Sequence, residues 1–243
     1  MQPYSFASYH APLISLTRGA GGQFVLAALC LGLLLCVLTG VLVGPVFAAV
    51  ALTAMSFGVS LAAAVMRRGY PHRDLGLCNL VTLLRLALTS TLVAALVVSI
   101  SGWIVLGIAL FALALDGIDG WLARLGGHVS DFGARFDMEV DAALGLVLAL
   151  LAWSSGAVGA VVLLLGLPRY IFVAASAIWP WMAKPLPERL GRKIVCVIQI
   201  MALVILQAPI VDGPLALAIL MIASVALVWS FGRDVLWLWR TRP

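Results

Sequence analysis

The chain has 243 residues, of which 64% are hydrophobic and 10% are charged, and its mean hydropathy is +1.16. Because soluble globular domains carry about 25% charged residues, this composition excludes an ordinary soluble domain. The net charge of +5 accompanies long apolar runs. We therefore interpret it as a basic surface that meets anionic membrane lipid, and we expect no nucleic-acid partner.

Apolar runs of the length that a bilayer requires, about 20 residues, recur from residue 23 to residue 232. Turn-forming or charged segments separate these runs, for example Gly44-Pro45 and the stretch RRGYPHRD at 67–74. The pattern predicts an all-α fold, a polytopic transmembrane helix bundle of about eight spans. The predicted spans are 23–43, 46–66, 76–98, 103–124, 134–153, 159–178, 194–211 and 214–232.

The distribution of lysine and arginine predicts the orientation of these spans. If both termini are cytoplasmic, the outer loops contain no lysine or arginine and the basic residues gather on the inner side. Residues 1–22 then form a cytoplasmic N-terminal segment, 23–66 two accessory transmembrane helices that serve as scaffold, and 233–243 a cytoplasmic interfacial tail. The protein is expected in an inner or plasma membrane.

Ionisable residues inside predicted spans are costly in a bilayer and so mark candidate functional sites. Arg85, Asp116, Asp141 and Arg169 lie on four different spans, each a similar number of residues from the cytoplasmic end. At about 1.5 Å per residue, all four reach a depth of roughly 10–14 Å from the cytoplasmic face. They predict a charged cavity that is open to the cytosol.

Acidic residues on the fourth and fifth spans have helical spacing. Asp116 and Asp119 are three residues apart on the fourth span, and Asp137 and Asp141 are four residues apart on the fifth. The two spans are consecutive and antiparallel, so their acidic faces can meet. Four converging carboxylates repel one another unless cations are present. Oxygen ligands favour Mg²⁺, Mn²⁺ or Ca²⁺ over zinc, and four acids can hold two ions, which suits displacement at phosphorus.

The whole stretch from Asp116 to Asp141 resembles the CDP-alcohol phosphotransferase signature, D-x-x-D-G-x-x-A-R-x(8)-G-x(3)-D-x(3)-D, with every spacing met. The spans from 76 to 232 look like the six-helix catalytic core of that family, and the two N-terminal helices lie outside it. The matching positions are Asp116, Asp119, Gly120, Ala123, Arg124, Gly133, Asp137 and Asp141.

The resemblance implies a reaction and a set of roles. An alcohol attacks the phosphorus of a CDP-linked donor, in most bacterial-type members CDP-diacylglycerol, and CMP leaves. By that similarity Asp116, Asp119 and Asp137 are metal ligands for two Mg²⁺ or Mn²⁺ ions, and Asp141 completes the metal site and takes the alcohol proton. The similarity also suggests a homodimer. The residues implied to line the CDP pocket are Gly120, Ala123, Arg124 and Gly133.

The segment NLVTLLR, residues 79–85, is similar to the family's P-N-x-x-T-x-x-R stretch, with Cys78 where proline is usual. Asn79 and Thr82 are thereby implied to contact the nucleotide, although Thr82 is equally well explained as a packing hydroxyl. Arg85 at its end is a candidate contact for phosphate or for the acceptor.

Further basic residues are candidates for binding a phosphorylated acceptor. Arg169 lies deep in the sixth span and has no acid within one turn, which leaves a structural ion pair as its other explanation. Arg192 and Lys193, together with Lys184 and Arg189, form a basic group that positive-inside topology alone also explains.

A divalent-cation transporter is the main alternative function, because acids at membrane depth also mark ion pathways. Two features disfavour it: the acids lie in the cytoplasmic half only, and no helices are broken at the midplane in matching halves. A catalytically inactive scaffold is disfavoured because all four aspartates are present. The acceptor stays open among glycerol 3-phosphate, an inositol phosphate, serine and a plain polyol. A CDP-aminoalcohol donor with diacylglycerol as acceptor is a further alternative.

Overall fold

The computed structural model describes residues 19–126, 130–183 and 190–241, with the side chains of 119–126, 180, 183 and 190 outside that description. The described residues form helices and connecting turns without any strand, so the predicted all-α class is confirmed. The helices are α1 (Ala20–Leu42), α2 (Pro45–Met66), α3 (Leu77–Ala95), α4 (Gly102–Gly126), α5 (Asp131–Ser154), α6 (Leu163–Gly166), α7 (Pro168–Ile178), α8 (Leu190–Ile205) and α9 (Gly213–Arg240), with short 3₁₀ turns at Ala160–Val162 and Pro180–Ala183.

Within the described ranges, four helices are long and apolar enough to cross a membrane, namely α1, α2, α3 and α9. The pair 160–166 and 168–178 adds a fifth if it counts as one span. A helix lies in every one of the predicted spans, but the predicted number of eight is not confirmed. Within the described residues, the apolar stretch of α4 is Gly102–Ile118 and α8 has 16 residues.

The predicted span 159–178 is broken instead of continuous. Its two helical pieces meet at Leu167 and are bent by 67°. Pro168 opens α7, and proline cannot donate the backbone hydrogen bond that would continue α6. The described helices contain this one bent pair. The matching pair of broken helices that is typical of many transporters is therefore not found among them.

The chain forms two compact units, residues 1–94 with 112–140 and residues 95–111 with 141–243. The boundaries fall inside α4 and α5, which run through them without interruption. In the first unit α1 and α2 are joined at Gly44, whose φ of 136° is a conformation that glycine adopts easily. Phe24 of α1 belongs to the same buried cluster as Leu83 of α3 and Phe136 of α5.

The second unit has its own buried core, which includes Leu148 of α5, Leu165 of α6 and Leu203 of α8. A Cβ atom at Gly166 would lie 2.8 Å from Ala149 Cβ, so α6 approaches α5 more closely than any larger residue permits. Gln207 is buried, and its amide donates to the Leu148 carbonyl oxygen at 2.9 Å. The buried amide of Gln207 is therefore satisfied by a backbone partner.

Candidate active site

The polar residues at the start of α3 lie inside the first unit. Asn79, Thr82 and Arg85 are spaced three residues apart and have exposed fractions of 1%, 3% and 1%. The Thr82 hydroxyl donates to the Cys78 carbonyl oxygen at 3.1 Å, one turn back on the same helix. Three polar side chains are thus buried on one helix, and buried polar groups need hydrogen-bond partners. Their assignment to the site stays a prediction.

Arg85 joins α3 to the acids of α4 and α5. Its Nη1 lies 2.9 Å from Asp116 Oδ1 and also contacts Asp137 Oδ1. The two carboxylates are 37% and 36% exposed, whereas Arg85 is buried. A buried cation thus balances two half-exposed acids from different helices. Sequence reasoning offered Arg85 as a phosphate or acceptor contact and did not foresee this pairing.

Three of the four predicted metal ligands come together. Asp116, Asp137 and Asp141 each offer one carboxylate oxygen, and these oxygens all lie within 4.8 Å of one another. Asp141 follows Asp137 by one turn of the continuous helix α5, so that helix fixes their relative positions. Carboxylate oxygens are the ligands that hard divalent cations such as Mg²⁺ prefer, so the chemistry of this donor set suits such an ion.

The remaining signature positions on α4 are Asp119, Gly120, Ala123 and Arg124. The backbone of α4 is helical through all of them, as predicted, while their side chains lie outside the described residues. In the sequence, Asp119 and Gly120 follow Asp116 at the three- and four-residue spacings typical of one helix face. The assignment of Asp119 as the fourth ligand, and of the other three to the CDP pocket, stays a prediction.

Gly133 allows α3 and α5 to approach each other. A Cβ atom at this position would lie 3.1 Å from Asn79 Oδ1 and 3.2 Å from Ser130 Oγ. The Gly133 N–H donates to Ser130 Oγ at 3.0 Å, a side-chain cap at the start of α5. The resemblance implies that Gly133 lines the CDP pocket, which stays a prediction. The contacts with Asn79 and Ser130 give this glycine a role in the close approach of α3 and α5.

Tyr70, in the loop before α3, was missed by sequence reasoning. Its hydroxyl donates to the Leu75 carbonyl oxygen at 2.8 Å and accepts a hydrogen bond from Asn79 Nδ2 at 3.0 Å. Burial is the largest cause that raises the pKa of Tyr70, with Cys78 and Asp74 adding to it against the hydrogen bond from Asn79. The phenol therefore stays protonated and holds the Asn79 amide in place. The loop has no helical period, so no pattern in the sequence pointed to it.

The candidate acceptor contacts other than Arg85 lie in the second unit. Arg169 is half-buried near the start of α7, and Lys193 is exposed on α8. Arg192 Nη1 lies 3.5 Å from Asp234 Oδ2, and Asp234 is only 5% exposed. Asp234 falls in the segment predicted as an interfacial tail, where α9 in fact continues to Arg240. Lys184 and Arg189 lie outside the described residues.

Comparison with known families covers the helices that carry these residues. The family model of CDP-alcohol phosphatidyltransferase matches residues 75–230, which is more than half of the chain and includes α3, α4 and α5. The chain has no significant match among curated proteins or solved structures. The accessory helices α1 and α2 lie outside the matched range. The match confirms the resemblance drawn from the signature, and the chain is therefore a membrane transferase that belongs to the CDP-alcohol phosphatidyltransferase family.

Proposed function

We propose that the protein transfers a phosphatidyl group from CDP-diacylglycerol to a small polar alcohol and releases CMP, with two Mg²⁺ or Mn²⁺ ions as cofactors. The observation that carries this proposal is the convergence of Asp116, Asp137 and Asp141 beside the buried Arg85. Family membership supports the reaction class, and the carboxylate cluster supports this part of the protein as the active site.

In the proposed reaction the alcohol oxygen forms a bond to the phosphatidyl phosphorus, and the bond from that phosphorus to CMP breaks. Asp141 accepts the alcohol proton, which makes the oxygen a better nucleophile. Arg85 holds Asp116 and Asp137 in position by contacting one oxygen of each. When bound at these acids, the divalent ions would neutralise the diphosphate and steady the attacking and leaving oxygens.

The CDP end of the donor is proposed to lie against the α3–α5 contact and the last turns of α4. At the α3–α5 contact, the proposed CDP contacts are Asn79, Thr82 and Gly133. In the last turns of α4, they are Gly120, Ala123 and Arg124. Arg124 would contact phosphate. Asn79 is held by Tyr70 and by the Leu75 carbonyl oxygen, which lies 2.6 Å from Asn79 Nδ2. A fixed amide favours recognition of one nucleotide geometry.

We further propose that the site faces the cytoplasm, that donor acyl chains enter sideways from the bilayer, and that the protein is a homodimer. The one-sided distribution of basic residues supports the orientation. Arg169 and Lys193 are offered as contacts for a phosphorylated acceptor. Arg192 is offered with them, although its ion pair with Asp234 already gives it a structural role.

The test incubates purified protein with CDP-diacylglycerol, Mg²⁺ and a panel of alcohols, and identifies the lipid product by mass. We expect one alcohol to give a phosphodiester product together with CMP. Product formation from a CDP-aminoalcohol and diacylglycerol would reverse the assignment of donor and acceptor. Mg²⁺ flux into liposomes without any CDP substrate, and no CMP release with any alcohol, would overturn the transferase proposal in favour of transport.

Asp141→Asn is the sharpest variant for this site. It keeps the size of the side chain but removes the base, so we expect CMP release to fall by about 10²–10⁴-fold. The matched control is Glu139→Gln, which neutralises an exposed acid on the same helix and should retain activity. Near-normal CMP release by Asp141→Asn would exclude the proposed role for this residue.

A further inference from the structure

The accessory hairpin, α1 with α2, lies outside the family-matched range but shares its core with the helices that carry the site. In the first unit a single buried cluster contains Phe24 of α1, Met66 of α2, Leu86 of α3 and Phe136 of α5. A hairpin that served only to anchor the chain in lipid would need no such shared core. The contacts within the cluster indicate a more specific task.

Phe24 fills the space against α5. It is 1% exposed, and its ring meets the rings of Phe132 and Phe136 edge to face, with centroids 6.3 Å and 5.9 Å apart. These are favoured aromatic geometries. Phe132 and Phe136 are four residues apart and directly precede Gly133 and Asp137 in sequence. The face of α5 that Phe24 contacts is therefore adjacent to the face that carries the site.

Gln23, the neighbour of Phe24, holds the start of the family-matched range. Its Oε1 accepts a hydrogen bond from the Leu75 N–H at 2.8 Å, and its Nε2 lies 3.3 Å from Asp74 Oδ1. The Leu75 carbonyl oxygen in turn accepts hydrogen bonds from Asn79 and from Tyr70. A short chain of hydrogen bonds thus leads from α1 to the Asn79 amide.

Contact between α2 and α3 completes the support. A Cβ atom at Gly58 would lie 2.7 Å from Leu86 Cδ1, so α2 touches α3 at the residue after Arg85. The hairpin therefore contacts α3 beside Arg85 and α5 beside Asp137. These two residues form the ion pair that joins the helices at the site.

Small movements of α5 would disturb a metal site. A carboxylate oxygen lies roughly 6 Å from its helix axis, so a rotation of about 20° moves it by about 2 Å. Ligand positions need to hold within about 0.2 Å of ideal metal distances. Because α5 carries both Asp137 and Asp141, residues that fix its rotation thus control whether these two acids can bind one ion together with Asp116 of α4.

We infer that the accessory hairpin is part of the catalytic unit, in which Phe24 and Gln23 are positioning residues that set the rotation of α5 and the place of Asn79. This inference rests on the proposed function, because it takes the aspartates as metal ligands and Asn79 as a nucleotide contact. Phe24 and Gln23 act through Asp137 and Asn79, and neither is assigned a contact with substrate.

The test compares Phe24→Ala with Leu33→Ala, which truncates a side chain of α1 that is 68% exposed. Mn²⁺ affinity is measured on the substrate-free protein by electron paramagnetic resonance, and kcat and KM for the alcohol are measured separately. We expect Phe24→Ala to weaken Mn²⁺ binding by about tenfold or more, the lower end of what loss of a ligand-orienting partner costs. It should lower kcat with little change in KM, while Phe24→Leu restores most of both. Leu33→Ala should match the wild type.

If Phe24 had a purely structural role, Phe24→Ala would have a lower melting temperature but the Mn²⁺ affinity and kcat of the wild type. That result would overturn the inference. If Phe24→Ala does not fold, Gln23→Ala is measured instead. We expect it to lower nucleotide affinity by less than Phe24→Ala is expected to lower Mn²⁺ affinity. Unchanged nucleotide affinity would contradict the inference. If the wild type binds no Mn²⁺, the metal assignment of the proposed function fails. Hydrogen exchange of residues 131–141 then decides the positioning role, which requires faster exchange in Phe24→Ala than in Leu33→Ala.

Discussion

Helices α1 and α3 are both apolar and of membrane-spanning length, yet they relate to the rest of the protein in opposite ways. In the most apolar stretch of α1 17% of the residues are buried, against 67% in α3. α1 presents large side chains such as Leu29 and Leu33 to its surroundings, whereas α3 buries Asn79 and Arg85. In a membrane protein, polarity within a span is therefore the better guide to what lies inside, because lipid accepts leucine as readily as a protein core does.

The buried hydroxyls of α3 show how this polarity is tolerated. Thr89, Ser90 and Thr91 each donate to the carbonyl oxygen four residues back, at 2.8–3.0 Å. These groups are satisfied within their own helix and need no partner elsewhere. Asn79 and Arg85 differ because their side chains also reach groups outside α3. The helix thus combines self-contained hydroxyls with two residues that organise the site.

Among the substitutions that compare these two helices, the largest effect is expected from Arg85→Met, which would make α3 resemble α1 at its centre. Two acids would lose their shared cation, so we expect CMP release to fall by about 10–100-fold. Removal of one partner from a fully buried ion pair costs about 3–5 kcal/mol. Because Asp116 and Asp137 are partly exposed, we expect Arg85→Met to lower the free energy of unfolding by about 3 kcal/mol or less. CMP release and thermal unfolding in detergent measure the two effects.

Arg85→Lys is the control for charge. Lysine keeps the positive charge but presents a single ammonium in place of the planar fork of arginine, so its activity should lie between the other two. Mg²⁺ should also raise the melting temperature of Arg85→Met more than that of the wild type, because a bound cation then relieves the repulsion between the acids. Equal shifts in both proteins would argue against a shared site for Arg85 and the metal.

Much of this site follows from helical spacing alone. The order and faces of α3, α4 and α5 and the convergence of Asp116, Asp137 and Asp141 were predicted from this spacing. Such features are local, since three- and four-residue spacings fix a face, and the short connection between α4 and α5 makes the two helices antiparallel neighbours. The family was predicted separately, from resemblance to its signature. The contact of Arg85 with two acids needed the third dimension.

Other features had a signal in the sequence that was not used. Pro168, in the middle of a predicted span, is a helix breaker and marks the bend. Asp234 continues the buried stripe of α9, since Leu227, Ser230 and Leu238 lie on the same face. By contrast, nothing local points from Phe24 to Phe132, because more than a hundred residues separate them and aromatic residues in apolar spans are common.

Leu83→Ala and Leu33→Ala compare the two helices directly with one chemical change. Leu83 of α3 is fully buried in the first unit, and Leu33 of α1 is 68% exposed. We expect Leu83→Ala to lower the free energy of unfolding by about 2–5 kcal/mol, because it leaves a cavity in a packed core. Leu33→Ala should change it by less than about 0.5 kcal/mol. Reversible unfolding in bicelles measures both, and equal losses would show that α1 packs as tightly as α3.

The smallest expected effects come from replacing two glycines of the accessory hairpin, one at its contact with α3 and one at the contact between α1 and α2. Gly58 of α2 lies against Leu86 of α3, where an added Cβ would be 2.7 Å from Leu86 Cδ1. Gly32 of α1 lies against Leu52 of α2, where the same atom would be 3.7 Å from Leu52 Cδ2, an ordinary contact. Overpacking costs about 1–3 kcal/mol, and alanine regains about 0.5–1 kcal/mol of helix propensity at either site.

Gly58→Ala should therefore lose about 1 kcal/mol of unfolding free energy, while Gly32→Ala should gain about 0.5 kcal/mol. Because Gly58 touches α3 beside Arg85, its replacement should also reduce CMP release, whereas Gly32→Ala should leave activity intact. The two variants are measured together by unfolding in bicelles and by the CMP assay. A stabilised Gly58→Ala with full activity would mean that Leu86 moves aside freely. The close packing near the site would then be limited to the contact between α3 and α5, and α2 would not constrain the position of α3.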